Sequence, residues 1–244
     1  MSSSSTSTDP PAYAVPAEIL NHFQSDPWTS SFLNLSTHTA TKIYSRTSDP
    51  STGEDAFFAH TINSPTTIPY CLTLRKKQPD TPPIQTPYAS FPPPATGPNA
   101  PKTGPIPSNK VDLFALFDLA TPGINGHPNT AHGGVIATLL DEIMSVAVSV
   151  HIPDYRENAS AERARLYTAQ LDIRYLKPVR VPGMVVVKAW CVAREGRKFF
   201  MRGQLVQEEG EGGGRGKGQL EWVKRKIVCA EAYGVWVQAR EGKL

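Results

Sequence analysis

The chain has 244 residues, a formal net charge of +3, 23 prolines and 39% hydrophobic residues. So small a net charge is not typical of a nucleic-acid-binding protein, and no apolar stretch reaches the length of a membrane span. The 3 cysteines lie far apart, which disfavours a disulfide scaffold and a structural zinc site. We therefore expect an intracellular protein with a packed core, a proline-rich portion, and no metal or cofactor.

The two ends of the chain bear on its location. Residues 1–16 are rich in serine and lack the basic and apolar regions of a secretory signal, and we predict that they are disordered. The final tripeptide, Gly-Lys-Leu, partly resembles the Ser-Lys-Leu peroxisomal address. A cytoplasmic location is the main expectation, with the peroxisome or the mitochondrion as alternatives.

Residues 17–77 form a predicted N-terminal extension of helix and strand. Short helical periodicity is broken at Pro27, and two strands are predicted within 55–64 and 68–77. Prolines then recur every few residues over 78–109, which predicts a loop or linker. This proline-rich segment is either a spacer or a ligand for a partner domain.

Residues 110–244 carry the predicted main domain. An alternating strand at 111–119 is followed by turn-forming residues and a helix from Gly134 to about Val150. Strand-like segments fill most of the remainder, separated by glycine-rich or charged loops. One strand, one long helix and a run of antiparallel strands predict the α+β class, because repeated strand–helix alternation is missing.

The long helix carries one narrow polar stripe, whose members recur every three to four residues. They are Thr138, Asp141, Glu142, Ser145 and Ser149. A helix that is apolar on its other sides is expected to be buried. The stripe is either a solvated face or a chemical site, since a carboxylate beside buried surface becomes more basic and can take a proton from water.

Two glycines stand where this helix begins. Gly133 and Gly134 allow a carbonyl oxygen to approach unpaired backbone N–H groups at the positive end of the helix dipole, as an oxyanion hole requires. A plain turn is the alternative. Gly134 and Asp141 are about 10 Å apart along one helix, so one carbonyl cannot touch both. A site that uses both groups needs two antiparallel helices and therefore a homodimer.

The segments "NGHPNTAHGGVIATLLDE", "TAQLDIRYLKPV" and "GMVVVKAWCVAREGRK" resemble the hotdog-fold acyl-CoA thioesterases. The branch that they resemble is the phenylacetate-pathway and thioesterase-superfamily-member type, especially its fungal versions. The resemblance implies an antiparallel sheet wrapped around one long helix, dimers that often pair into tetramers, and hydrolysis of an acyl-CoA or acyl-carrier thioester.

The resemblance also implies roles for individual residues. Asp141 corresponds to the general base or nucleophile, and Thr168 corresponds to the hydroxyl that orients water. The Gly133 N–H corresponds to the oxyanion donor, with His132 and Gly134 beside it. The position of an asparagine found in some relatives is Gly126 here. Asn125, His127 and Asn129 are the candidate substitutes for that asparagine. The acyl chain is expected to lie in a tunnel between the helix and the sheet, which Leu140, Ile143 and Met144 would line.

Two other functions fit the same sequence. One is a non-hydrolytic module that binds acyl-CoA or an acyl carrier, or a scaffold recruited through the proline-rich segment. The other is a hotdog hydratase or dehydratase, which commonly pairs the aspartate with a histidine five residues later. That position is Val146 here, which weakens the lyase interpretation.

Overall fold

The computed structural model describes residues 13–101, 104–152, 155, 165–209 and 225–240. The helices in this part of the chain are α1 (Ala17–Ser25), α2 (Pro27–Leu33) and α3 (Gly133–Ser149). The strands there are β1 (His38–Thr41), β2 (Tyr70–Lys76), β3 (Leu113–Leu119), β4 (Asn125–His127), β5 (Thr130–Ala131), β6 (Leu166–Tyr175), β7 (Gly183–Glu195), β8 (Lys198–Glu208) and β9 (Lys226–Gln238).

Within the described residues, the main sheet is 7-stranded with the order β1-β2-β3-β7-β8-β9-β6, and β4 and β5 form a separate pair. Every neighbouring pair in the main sheet is antiparallel. The strand β6 follows α3 in the chain but lies at the far edge of the sheet, beside β9. The predicted α+β class is confirmed, and the predicted long helix begins and ends within one residue of α3.

The helix α3 lies across one face of the sheet, in contact with β3, β6, β7, β8 and β9. Its apolar residues Leu139, Leu140, Ile143 and Met144 are fully buried, and each such side chain contributes roughly 1.5–3 kcal/mol through burial. At Gly203 on β8, an added Cβ would come within 2.7 Å of the Met144 sulfur. The absence of a side chain at this position therefore lets the helix pack close to the sheet.

The opposite face of the sheet is covered by α1 and α2. Phe23, Trp28 and Phe32 pack with Phe114 and Leu116 of β3 in a second hydrophobic cluster. The sequence separates these two helices at Pro27, which takes the first position of α2, after the N-cap Asp26. A proline is well placed there, because the first helical N–H has no partner within the helix. The strand β3 is consequently buried on both faces.

The described residues of the proline-rich segment, 78–101 and 104–109, pack on this outer face as a strap rather than standing free as a spacer. Gln204 on β8 donates to the Gly104 carbonyl at 2.7 Å, and Arg202 donates to the Tyr88 hydroxyl at 3.2 Å. The Tyr88 ring also meets Tyr233 edge-on, with ring centroids 6.0 Å apart. The described part of the strap is therefore attached to the sheet by side chains of β8 and β9.

The N-terminal extension departs from its prediction in one element. The expected strand at 55–64 is instead a single turn of π-helix, Phe57–Thr61, while β2 lies where the second strand was expected. Short apolar runs such as "FFA" do not distinguish helix from strand. The extension also adds β1 to the sheet, which was not predicted. Ile43, Phe58 and Ile62 join the hydrophobic cluster that surrounds α3.

Several sequence predictions lie outside the described residues. These are most of the predicted disordered N-terminus, the C-terminal tripeptide, most of the connection between α3 and β6, and the glycine-rich loop between β8 and β9. Among the helices that are described, none combines the length and apolar character needed to cross a membrane.

Candidate active site

The start of α3 is capped by the histidine that precedes the two glycines. His132 is the N-cap in an extended conformation, with φ −63° and ψ 137°, and its Nδ1 accepts a hydrogen bond from the Gly134 N–H at 3.0 Å. The cap therefore engages the amide of Gly134. The amide of Gly133, in the first helical position, has no acceptor within the helix because the helical pattern needs a carbonyl four residues earlier.

Tyr175 holds this first turn against β6. Its hydroxyl donates to the Gly133 carbonyl at 3.0 Å, and its ring lies 3.6 Å from where a Cβ on Gly133 would stand. Sequence reasoning did not assign Tyr175 to the site. The available signal was its place in the same strand as Thr168, but the contact with Gly133 depends on how β6 lies along α3.

Asp141, two turns further along α3, is paired with the hydroxyl of Thr168. The Thr168 Oγ1 donates to Asp141 Oδ1 at 2.9 Å. Burial raises the pKa of the Asp141 carboxyl above its ordinary value, and the hydrogen bond from Thr168 opposes this change in part. The carboxylate is therefore a stronger base than a free aspartate, and the threonine fixes its direction.

A bulge in β6 turns Thr168 toward the helix. Thr168 pairs with Trp236 of β9, whereas Gln170 pairs with Val235, so that one residue of β6 is left over between them. Directly paired residues share a face, and Trp236 is buried in the cluster around α3. After the bulge, Leu171 faces the same cluster. Strict alternation would place residues 168 and 171 on opposite faces, so the bulge is needed for the contact with Asp141.

Asp141 and Thr168 share a cleft of about 490 Å³. Its wall is formed by three parts of the chain: the polar stripe of α3, the beginning of β6, and the N-terminal extension. The described lining residues are Lys42, Tyr44, Ser45, Glu54, Asp55, Asp141, Glu142, Ser145, Val146, Ser149, Tyr155, Arg165, Leu166, Tyr167 and Thr168. A cleft of this size suits a small ligand or one end of a larger one.

The Gly133 amide and the Asp141–Thr168 pair, which together form the expected catalytic site, lie far apart within one protomer. Gly133 and Asp141 are eight residues apart in α3, or about 12 Å along its axis. Tyr175 contacts the first turn and Thr168 contacts Asp141, at opposite ends of β6. One chain therefore brings the carboxylate and the hydroxyl together but keeps the Gly133 amide away from them.

The expected tunnel-lining residues occupy other places. Leu140, Ile143 and Met144 are fully buried, and Leu140 and Met144 pack against Gly203 of the sheet. They fill the space between helix and sheet, and the cleft beside Asp141 is lined by other side chains. In the described residues these side chains therefore occupy the place where a tunnel between α3 and the sheet was expected, because Gly203 permits close packing there.

The hairpin before α3 carries the remaining candidates. An added Cβ on Gly126 would come within 2.9 Å of the His132 Cα, so an asparagine does not fit this backbone. Asn125 accepts a hydrogen bond from Thr121 at 3.1 Å. Asn129 has a positive φ of 54° in the turn between β4 and β5. Asn129 and His127 are both exposed on this hairpin.

The cysteines do not offer a nucleophile at neutral pH. Burial raises the pKa of Cys71 and of Cys191 to about 12, and that of Cys229 to about 11. Their thiols are therefore protonated and suit core packing. In the part of the chain that the structure describes, no group of three His, Cys, Asp or Glu residues is placed to hold a metal ion.

Comparison with protein families agrees with this architecture. Residues 128–213 match the family model described as the Thioesterase superfamily. The chain has a hotdog fold, and residues 128–213 are the part of it that is similar to the thioesterase superfamily. The matched range of this hotdog domain includes His132, Gly133, Asp141, Thr168 and Tyr175, whereas the part of the cleft wall from the N-terminal extension lies outside it.

Individual relatives of the hotdog domain are distant. An uncharacterised protein of Schizosaccharomyces pombe is 26% identical over 118 residues, which are 48% of this chain and 55% of the relative, so that the match spans about half of that protein. The BH2602 protein of Bacillus halodurans, solved with CoA, is 21% identical with a TM-score of 0.40, over 55% of this chain and 72% of its own. An acyl-CoA hydrolase of Staphylococcus aureus, solved with butyryl-CoA and CoA, is 15% identical with a TM-score of 0.42, over 54% of this chain and 67% of its own.

Proposed function

We propose that this protein hydrolyses acyl thioesters, with coenzyme A as the expected thiol carrier and an acyl-carrier protein as the alternative. The observation that carries the proposal is the 2.9 Å hydrogen bond from Thr168 to a carboxylate whose pKa is raised by burial, inside a cleft. The match to the thioesterase superfamily supports the same reaction class.

In this reaction Asp141 acts as the general base. The Thr168 hydroxyl donates a hydrogen bond to the carboxylate, so the lone pairs of its oxygen remain to accept a hydrogen bond from a water molecule. The water attacks the thioester carbonyl carbon while its proton passes to Asp141. Collapse of the tetrahedral intermediate breaks the C–S bond, and the proton then passes to the leaving thiolate. Direct attack by the carboxylate is the alternative route.

The oxyanion of that intermediate requires donors that a single protomer keeps about 12 Å away. In our proposal, the donor is the amide of Gly133 of the partner subunit in a homodimer. The ten-residue strand β6 forms one edge of the sheet in the described residues. Its Tyr167 and Tyr175 are 47% and 54% exposed. Exposed edge strands favour pairing with another strand, and antiparallel pairing of two β6 strands would set the two α3 helices side by side.

The test of the reaction is thiol release from a panel of acyl-CoAs. We expect Asp141→Asn to keep the fold and to lower kcat by about 10²–10⁴-fold, because general-base catalysis contributes an effect of this size. Asp80→Asn is the matched control, since this carboxylate lies in the strap with 75% exposure and pairs with Lys76. Its turnover should equal that of the wild type.

Two results would contradict the proposal. Full activity of Asp141→Asn would remove the carboxylate from the mechanism. Tight acyl-CoA binding without thiol release for any chain length would favour the non-hydrolytic binding module. Calorimetric titration with the same panel separates that second result from a protein that does not bind thioesters at all.

A further inference from the structure

The polar stripe of α3 continues beyond Asp141 into the cleft. Ser145 lies four residues later on the same face, about 6 Å along the helix axis, and both residues line the cleft. Proton transfer from water to an aspartate does not by itself require a further hydroxyl one turn away. The continuation of the stripe is therefore a feature that the hydrolytic mechanism leaves unused.

The wall facing this stripe comes from the N-terminal extension. Tyr44 and Ser45 belong to a single 3-10 turn, Tyr44–Arg46, and line the cleft. The turn is held in place on both sides, because Ile43 is buried in the cluster around α3 and Arg46 donates to the Ile68 carbonyl at 3.0 Å. The wall is thus an anchored part of the fold, although it lies outside the range that matches the superfamily.

Within this wall, Ser45 carries an unsatisfied hydroxyl. The residue is only 5% exposed, and its Oγ has no hydrogen-bond partner among the residues that the structure describes. Buried hydroxyls in folded proteins nearly always have a partner, so each exception calls for an explanation. A serine can move its Oγ between three staggered positions, which allows this hydroxyl to turn toward a polar group bound in the cleft.

The packing of the helix decides where an acyl group can go. Leu140 and Met144 are fully buried and fill the space between α3 and the sheet, so a long alkyl chain finds no tunnel there. A thioester carbonyl at Asp141 would instead extend its acyl group along the stripe, toward Ser145 and Ser45. The cleft lining in the described residues also has more carboxylates than cations, which disfavours the phosphates of CoA at this end.

We propose that this cleft receives the acyl part of the substrate and selects short acyl groups that carry a hydroxyl or keto oxygen at C3. Ser45 and Ser145 are its specificity residues. This inference rests on the proposed thioesterase function and adds to it a substrate class and a role for the N-terminal extension.

The test uses the full-length protein and thiol release from butyryl-CoA, 3-hydroxybutyryl-CoA and palmitoyl-CoA. The first two substrates differ by one oxygen. We expect kcat/KM of the wild type to be at least about 10-fold higher for 3-hydroxybutyryl-CoA than for either of the others, because a site built around hydroxyls loses hydrogen bonds with an alkyl group. Ser45→Ala and Ser145→Ala should each lower the hydroxybutyryl-to-butyryl ratio by about 3- to 10-fold. Ser36→Ala, which changes an exposed serine of the same extension, should keep the ratio.

The outcomes separate this inference from the reaction itself. Hydrolysis of butyryl-CoA or palmitoyl-CoA as fast as that of 3-hydroxybutyryl-CoA would overturn the inference and leave the thioesterase function standing. A wild-type preference that survives both serine substitutions, in variants with unchanged melting temperature, would overturn the role of the two hydroxyls. No hydrolysis of any substrate in the broad panel would overturn the proposed function, and this inference with it.

Discussion

Asp141 illustrates how two local effects set the chemistry of one residue. Burial beside the apolar side of α3 raises the pKa of its carboxyl, and the Thr168 hydroxyl lowers it by donating to the charged form. In the proposed mechanism, the ionised form of this carboxyl is the base. The acid limb of the pH profile therefore lies above the ordinary titration range of an aspartate, and activity is lost as the pH falls through it.

Thr168→Val is predicted to move that acid limb to higher pH. The valine has nearly the same shape but no donor, so the carboxylate loses the contact that favours its charged form, and its pKa rises further. We also expect kcat to fall about 10-fold or more, because the water loses its orienting hydroxyl. The measurement is kcat/KM between pH 4 and pH 9.

Thr39→Val is the control for this prediction, since Thr39 is exposed on β1. It should reproduce the wild-type profile. An unshifted acid limb in Thr168→Val would mean that the hydrogen bond to Asp141 does not tune its titration.

At the scale of elements, a buried pair joins the end of α3 to the sheet. His151 and Asp112 meet at 2.8 Å, with side chains only 3% and 6% exposed. The same Asp112 oxygen accepts from the Cys191 N–H of β7 at 2.8 Å. The pair thus connects the residues after α3 with the start of β3 and with β7, and it keeps the helix fixed along the sheet.

His151→Ala is predicted to lower the free energy of unfolding by about 3 kcal/mol, because a buried carboxylate loses a hydrogen-bond partner and a cavity remains. Urea unfolding measures this change, with an unchanged m value showing that only stability is altered. His60→Ala, at an exposed residue, should stay within roughly 0.5 kcal/mol of the wild type. Equal free energies of unfolding for His151→Ala and His60→Ala would contradict the inference that the His151–Asp112 pair holds α3 against the sheet.

At the scale of the whole molecule, the proposed site is divided between two subunits. Gly133→Pro tests the donor without disturbing the helix: proline suits the first helical position, and the extended ψ of 137° at His132 suits a residue before proline. The substitution removes the amide N–H. We expect it to be inactive on its own, as is Asp141→Asn.

Mixing the two inactive variants should restore activity. In a mixed dimer, Asp141 of one subunit faces an intact Gly133 of the other, so one of the two sites is complete. Random assembly makes half of the dimers mixed, and about a quarter of the wild-type activity should return after co-refolding. A mixture that stays inactive, with mixed dimers demonstrated by mass spectrometry, would contradict a site shared between subunits.

The sequence alone determined the features that depend on near neighbours in the chain. The apolar pattern of α3, the histidine and glycines at its start, and the position of Asp141 two turns inside it are relationships within one helix, and the 3.6-residue period is enough to predict them. The strands β2, β3 and β6–β9 were predicted for a similar reason, since each has its own β-forming composition or alternation. These elements are sufficient for the α+β class.

Only the tertiary structure decided how the cleft is lined. The direction of Thr168 depends on the bulge opposite Trp236, and the contact of Tyr175 with Gly133 depends on how β6 crosses α3. The filling of the expected tunnel and the wall around Ser45 depend on contacts between residues far apart in the chain. Register and close packing are set by all neighbouring elements at once, and no periodicity within one segment encodes them.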